Sequence, residues 1–312
     1  MTPTLAFVFP GQGSQSLGML GELGATQPEV RAAFAEASAG AGVDLWELSQ
    51  QGPEERLNQT EFTQPALLAA GIATWRAWLA SGGADPAQLA GHSLGEYAAL
   101  VAAGALSLGD GARLVRERGR LMQAAVPAGT GAMAAVLGAD DALVEEVCAS
   151  LRGEEVVVPA NFNSPGQIVI GGHAGAVDRA IAELGARGVR KVVKLAVSVP
   201  SHTPLMRAAA DRLAEVMDDI SWSMPDRPVI QNADATVQAN VRAIRDALAR
   251  QLYLPVRWTQ CVQALAAGGA TRLVECGPGK VLAGLARRID KSLEARAIGG
   301  ADDFAAALAD IA

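Results

Sequence analysis

Gly91-His92-Ser93-Leu94-Gly95 sets a serine between two glycines in the pattern G-x-S-x-G. A short strand, Ala87–Ala90, is predicted before it, and small and apolar residues of a buried helix follow from Leu94. A strand–serine–helix elbow lifts the hydroxyl into the open, and its glycines relieve the crowding of a sharp turn. It also aims the Leu94 N–H, at a helix start, toward the place where an oxyanion would form. The chemistry would be acyl transfer through an ester on Ser93. The same five residues also read as an ordinary glycine-rich turn.

Such a serine needs a base, and the chain has three histidines. His92 adjoins Ser93 and should point away from the elbow. His173 follows Gly171-Gly172 and is expected in a surface turn. His202 lies in Val199-Pro200-Ser201-His202-Thr203, where the chain returns from a small insert to the core, so it faces a cleft. Elimination and position select His202 as the general base; a helix-capping or merely buried histidine is the alternative. The acids between Ser93 and His202, among them Asp140, Asp141 and Asp178, read as helix starts or solvated faces. A neutral group such as a backbone carbonyl is therefore expected to hold the imidazole, in place of the usual carboxylate.

Two glycine-rich loops invite other chemistry. Phe9-Pro10-Gly11-Gln12-Gly13-Ser14-Gln15 fails as a dinucleotide fingerprint, because Ser16 takes the place of the third glycine. A loop after the first strand can instead supply a second backbone N–H to an oxyanion. Gly277-Pro278-Gly279-Lys280 lacks the spacing and the Ser/Thr of a phosphate-binding loop. Arg118 sits on a charged helix, where most arginines are solvated. An acyl group carrying a free carboxylate would nevertheless need a fork-shaped cation, and arginine supplies one.

The elements around these residues alternate. Strands are predicted at Leu5–Phe9 and Ala87–Ala90, and helices at Pro28–Ala39, Gln64–Leu79, Leu94–Ala103 and Leu108–Gln123. From Gly131 the order becomes β-α-β-β-α-β: Gly131–Leu137, Asp140–Leu151, Glu155–Asn161, Gln167–Gly172, Ala174–Arg187 and Val189–Val197, with a turn at Asn163–Gly166. That order is the ferredoxin-like pattern. Alternation resumes with helix Thr203–Met217, strand Pro228–Asn232, helices Val241–Leu252 and Thr259–Ala267, strand Thr271–Cys276 and a helix to Arg288. The predicted fold class is α/β: a core with a parallel sheet, residues 1–127 and 199–312, interrupted by a ferredoxin-like α+β small subdomain, residues 128–198.

Composition bounds the function. The chain has 312 residues, half of them hydrophobic, enough for a large core. Its apolar runs fall far short of the ~20 residues that span a bilayer, and no signal-peptide pattern opens it, so a soluble cytoplasmic protein is expected. Cys148, Cys261 and Cys276 are scattered, which points to buried thiols and to neither a disulfide framework nor a metal site. Net charge is −7 with 4% aromatics, which makes nucleic acid a poor partner.

Taken together, Phe7-Val8-Phe9-Pro10-Gly11-Gln12-Gly13-Ser14-Gln15, Thr63-Gln64-Pro65-Ala66, Gly91-His92-Ser93-Leu94-Gly95-Glu96-Tyr97, Arg118-Gly119, Asn161-Phe162-Asn163-Ser164-Pro165-Gly166-Gln167, Val199-Pro200-Ser201-His202, Gln251-Leu252-Tyr253 and Glu275-Cys276-Gly277-Pro278-Gly279 resemble the bacterial malonyl-CoA:acyl carrier protein transacylases over nearly the whole chain. The resemblance implies an α/β-hydrolase-like core and a ping-pong reaction. Ser93, activated by His202, would take malonyl from malonyl-CoA and pass it to the phosphopantetheine thiol of acyl carrier protein. The backbone N–H groups of Gln12 and Leu94 would hold the oxyanion, Arg118 the malonyl carboxylate, and the Gln251 carbonyl would orient His202. Gln64 and Asn161 would line the pocket, and Cys276 is not expected to react. No cofactor and no metal are implied, and a monomer is expected. Acyl carrier proteins are acidic, so docking needs a local basic face: either Arg187, Arg190, Lys191 and Lys194, or Lys280, Arg287, Arg288 and Lys291. The competing readings are an acyltransferase serving polyketide carriers, an α/β serine hydrolase and a non-catalytic binding module.

Overall fold

The computed structural model describes residues 4–197 and 199–311. The chain opens with β1 (Thr4–Phe9), followed by α1 (Gly21–Thr26), α2 (Pro28–Ala41), α3 (Leu45–Gln51), α4 (Glu54–Leu57) and the long α5 (Thr60–Ala80). Next come β2 (Gln88–Gly91), α6 (Gly95–Ala102) and α7 (Leu108–Ala124). The middle holds β3 (Gly131–Leu137), α8 (Asp141–Ser150), β4 (Val157–Ser164), β5 (Gln167–His173), α9 (Ala174–Ala186) and β6 (Lys191–Lys194). The remainder is a 3-10 turn (Pro204–Met206), α10 (Arg207–Asp218), β7 (Val229–Ile230), α11 (Val241–Gln251), α12 (Trp258–Ala267), β8 (Ala270–Glu275), α13 (Val281–Ile289), β9 (Glu294–Ala297) and α14 (Ala301–Ile311).

The strands form two sheets. The first is parallel, in the order β7-β2-β1-β8-β9. Its central strand β1 is apolar without alternation because both of its faces are covered. Phe7 and Phe9 enter one core beside Trp75 and Trp78, with the Phe7 and Trp75 rings edge-to-face at 5.5 Å. Ala6 and Val8 enter the other, against Trp258 and Leu273. The second sheet is antiparallel, in the order β4-β5-β3-β6, with α8 and α9 as its two crossovers. That strand order is the ferredoxin-like one. The second sheet meets the core where Phe162 N–H donates to the C=O of Val256, in the segment before α12, and Val256 N–H donates to Ala160 C=O, both at 2.9 Å. The boundary predicted at 198/199 falls on Ser198, outside the described residues.

Several predicted elements change length, for physical reasons. The helix predicted from Gln64 begins at Thr60, so Pro65 lies inside α5. The strand predicted over Val189–Val197 is only Lys191–Lys194, a largely exposed edge held from one side by β3. The helix predicted from Thr203 starts as the 3-10 turn at Pro204. The predicted four-residue turn is a two-residue one, since Ser164 already pairs with Gln167.

Glycines set the approach of the elements that carry the site. A Cβ on Gly119 would lie 2.6 Å from the Thr60 carbonyl oxygen, so only glycine lets α7 close on the start of α5. That contact brings Arg118 to Gln64. The carboxyl ends of β1 and β2 then lie side by side, where open parallel sheets place their ligands.

Candidate active site

The elbow is made by two glycines with no room for side chains. A Cβ on Gly91 would sit 1.9 Å from the Gly95 carbonyl, and one on Gly95 would sit 2.0 Å from the Phe9 carbonyl oxygen. The turn between them forces Ser93 into the left-handed region at φ 52°, a conformation a non-glycine residue holds only when its surroundings fix it. Here two carboxamides do so. Asn232 Oδ1 accepts from the Ser93 N–H at 2.7 Å, and Gln251 Nε2 donates to the Ser93 carbonyl at 3.0 Å.

His202 meets Ser93 across the cleft, with Ser93 Oγ and His202 Nε2 2.8 Å apart. Its own backbone is left-handed at φ 61°, and its N–H is held by the Leu252 carbonyl at 2.9 Å. The other ring nitrogen, Nδ1, lies 2.7 Å from the Gln251 carbonyl oxygen. A carbonyl only accepts, so Nδ1 carries the proton and the Nε2 lone pair is left for the Ser93 hydroxyl. The neutral orienting group is thus the end of α11. Burial, then the Arg118 cation, and lastly His92, push the His202 imidazole down to about 3, against the hydrogen bond to Gln251. It therefore stays neutral, which is the form a base needs.

Arg118 is not solvated as its charged helix suggested: it is 1% exposed. Nη1 donates to Gln64 Oε1 at 2.8 Å, and Nη2 donates to Gln251 Oε1 at 3.0 Å and to Ser93 Oγ at 3.3 Å. The Tyr97 ring centre lies 5.4 Å from the guanidinium carbon. Nε has no partner, and among the described residues no carboxylate oxygen lies within ion-pairing distance of the guanidinium. A buried charge without its opposite is costly, so the arrangement favours an incoming anion beside the serine.

Two backbone donors flank the hydroxyl. Gly11 packs so closely on the elbow that a Cβ there would lie 2.6 Å from the His92 carbonyl oxygen, which sets Gln12 beside it. The Gln12 side chain is tethered by Thr60 Oγ1 donating to Oε1 at 2.6 Å. Leu94 caps the start of α6. Among the described residues neither the Gln12 nor the Leu94 N–H donates to another group, so both are available to an oxyanion.

Ser93, His202, Arg118, Gln64 and Gln251 are therefore brought together, with Gln12 and Leu94 at their edge. Asn161 is buried in β4, and among the described residues its side chain makes no hydrogen bond to them. Its neighbour Asn163 reaches the elbow instead, accepting from His92 Nε2 at 2.8 Å. His92 thus points away from Ser93, toward the second sheet. His173 is no surface turn: it ends β5, and Nδ1 accepts the Val156 N–H at 2.9 Å. Cys276 is fully buried, and burial raises its thiol well above the ordinary range.

The sequence reading missed the layer behind the serine. Glu96, Gln231, Asn232 and the Gln251 side chain are all buried there. Glu96 Oε1 accepts from Gln231 Nε2 at 2.8 Å, and Oε2 accepts from the Asn232 N–H at 2.6 Å and from Gln251 Nε2 at 2.9 Å. Burial pushes the Glu96 carboxyl up to about 7, against these three donors and the Arg118 charge. An acid inside a buried, otherwise largely apolar helix gave one sequence signal, since Glu96 follows the glycine that brings α6 onto β1.

Residues 6–301 match the family described as acyl transferase domain. The malonyl CoA-acyl carrier protein transacylase of Salmonella typhimurium is 54% identical over 303 residues, covering 97% of this chain and 98% of that protein. The transacylase of the same name from Bacillus subtilis is 44% identical over 295 residues, covering 94% and 93%. Among solved structures, the malonyl-CoA:acyl carrier protein transacylase of Xanthomonas oryzae superposes with a TM-score of 0.98 at 69% identity, covering 100% of this chain and 99% of that one. A malonyl-transacylase solved in complex with a type II PKS acyl-carrier protein superposes at 0.96 with 50% identity, covering 98% and 99%.

The depressed basicity of His202 has a direct readout. A group whose pKa is lowered takes up its proton only at correspondingly lower pH. The His202 ring resonances, one of three sets, are expected to keep neutral-imidazole shifts from pH 8 down to about pH 5. A titration centred near the ordinary histidine value of about 6.5 would contradict a buried ring facing a cation.

Proposed function

Because this chain belongs to the acyl transferase family, and within it to the malonyl-CoA–acyl carrier protein transacylases, we propose that Ser93, His202 and Arg118 carry the malonyl transfer that defines these enzymes. The enzyme moves malonyl from malonyl-CoA to the thiol of acyl carrier protein. The observation that supports the roles best is the buried, carboxylate-free guanidinium of Arg118 with Nη2 3.3 Å from Ser93 Oγ. A three-carbon acyl group on that oxygen has its far carboxylate within reach of the same cation.

The steps follow from the geometry. Ser93 Oγ attacks the thioester carbon while His202 Nε2 takes its proton, and the N–H groups of Gln12 and Leu94 receive the negative oxygen. The carbon–sulfur bond breaks, and the CoA thiol leaves with the proton from His202. The malonyl ester then rests on Ser93 with its carboxylate on Arg118. The phosphopantetheine thiol enters, gives its proton to His202 and attacks the ester, and Ser93 Oγ recovers the proton as it leaves. The charge-assisted pair at Arg118 contributes about 1.5–3 kcal/mol to malonyl over a neutral acyl group. Gln64 fixes Arg118, and Asn161 is proposed to line the pocket. No cofactor takes part in these steps.

For the carrier we propose the cluster Lys280, Arg287, Arg288 and Lys291. In the other cluster, Arg187 is already paired with Glu146 and Glu183, and Lys194 with Asp178. The four residues on and beside α13 are exposed and, among the described residues, make no ion pair. They begin next to Gly279, which approaches Ser14 in the loop that holds Gln12. Fatty acid synthesis is the pathway we propose the product enters; the 50% identical enzyme held by a type II PKS acyl-carrier protein supports a second reading in which that system is served. The enzyme is proposed to be a cytoplasmic monomer, with its three buried cysteines unpaired.

Three outcomes are expected. Intact-protein mass after mixing with malonyl-CoA shows one malonyl adduct on the wild type and none on Ser93→Ala. Arg118→Ala slows malonyl transfer by a factor of ten or more and raises acetyl transfer relative to it; an unchanged preference would remove Arg118 from the carboxylate site. Reversing Lys280 and Arg287 to Glu raises KM for the carrier protein several-fold while KM for malonyl-CoA stays put, whereas equal shifts would argue against a carrier-specific face.

A further inference from the structure

The nucleophile's backbone and the malonyl-binding cation are held by the same amide. Gln251 Nε2 donates to the Ser93 carbonyl at 3.0 Å, and its Oε1 accepts from Arg118 Nη2 at 3.0 Å. An amide rotated by half a turn would present NH2 to a guanidinium and oxygen to a carbonyl, so both contacts require one of its two orientations. Ser93 and Arg118 are each held from a second side as well, the Ser93 N–H by Asn232 and Arg118 Nη1 by Gln64.

A third group that requires the same orientation stands behind them. As a carboxylate, Glu96 accepts at Oε2 from Gln251 Nε2 at 2.9 Å, and the same oxygen accepts the Asn232 N–H at 2.6 Å. Asn232 is fixed further by its Nδ2 donating to the Gly91 carbonyl at 2.8 Å, which leaves Oδ1 for the Ser93 N–H. Glu96 is fully buried and is not one of the groups that touch the acyl group. We propose that Glu96 is a positioning residue for malonyl transfer: its carboxylate fixes the amide of Gln251 and the strand end at Asn232, and through them the left-handed backbone of Ser93 and the head of Arg118. This inference rests on the functional reading above and adds a layer to it.

The role asks for an acceptor at Oε2, not for a particular charge. Gln231 offers the means to tell the two apart. Its Nε2 donates to Glu96 Oε1, while its own Oε1 has no partner. A glutamine at position 96 can keep an oxygen toward Asn232 and Gln251 and turn its NH2 toward Gln231, whose amide can flip to accept it.

The test compares Glu96→Met, Glu96→Gln and Gln251→Met with the wild type, using malonyl-CoA and acetyl-CoA as donors and acyl-enzyme mass as readout, with thermal melts as a check of folding. Glu96→Met is expected to lower the malonyl-to-acetyl ratio of kcat/KM about tenfold, the loss expected when an oriented partner of a charged group is freed. Glu96→Gln recovers most of that ratio. Gln251→Met, which keeps the carbonyl that holds His202, reproduces the loss. Equal falls for malonyl and acetyl in Glu96→Met, or an unchanged ratio, overturn the proposal. Should Glu96→Met not fold, Gln251→Met decides alone: a retained malonyl preference overturns it. A wild type that takes up no malonyl would fell the functional reading, and this inference with it, whereas unchanged variants of an active wild type fell this inference only.

Discussion

A guanidinium sealed beside a serine hydroxyl, with neutral amides for partners, is the constraint around which the rest is arranged. An exposed arginine would gain little from a carboxylate, because water screens the pair. Arg118 is removed from water by α5, α6 and α7, and among the described residues no acid pairs with it directly, Glu96 standing behind the Gln251 amide. The cost of burying that charge is offset by folding the rest of the core, and in the proposed mechanism it becomes selectivity for an acyl group that brings its own negative end.

The same cation shapes the base. It helps hold His202 well below the usual histidine range, so the imidazole meets Ser93 neutral, with its proton directed at the Gln251 carbonyl. A carboxylate in that orienting position would be a second acid near Arg118 and would compete with malonyl for it. A carbonyl orients the ring without adding charge. Gln251 therefore serves twice: its backbone faces the base, and its side chain ties the nucleophile to the cation.

Much of this was legible in the chain itself. Alternating strands and helices, the βαββαβ interval and the G-x-S-x-G elbow are local patterns, and each was found near its place. The errors are also instructive. β9 was passed over because Glu294–Ala297 is a short edge strand that, among the described residues, pairs with β8 alone. The start of α5 was placed late because Pro65 reads as a helix opening, whereas the contact of Gly119 with Thr60 holds a further turn in front of it. The contact of Asn163 with His92 was not foreseen, because nothing in a strand's sequence says which of its residues meets a loop from another sheet.

The sequence by itself selected the groups that the structure brings together: Ser93 between its glycines, His202 by elimination among three histidines, and Arg118 as the cation a carboxylated acyl group would need. Residue type and spacing suffice there because the elbow is a local structure with steric rules of its own. Only the tertiary structure decided that Arg118 is buried and not solvated, and that Glu96, Asn232 and the Gln251 amide stand behind the serine. Those facts depend on contacts between residues as far apart as Ser93 and Gln251. Hydrogen-bond direction and burial across such distances are set by how helices pack on the sheet, and no local pattern encodes them.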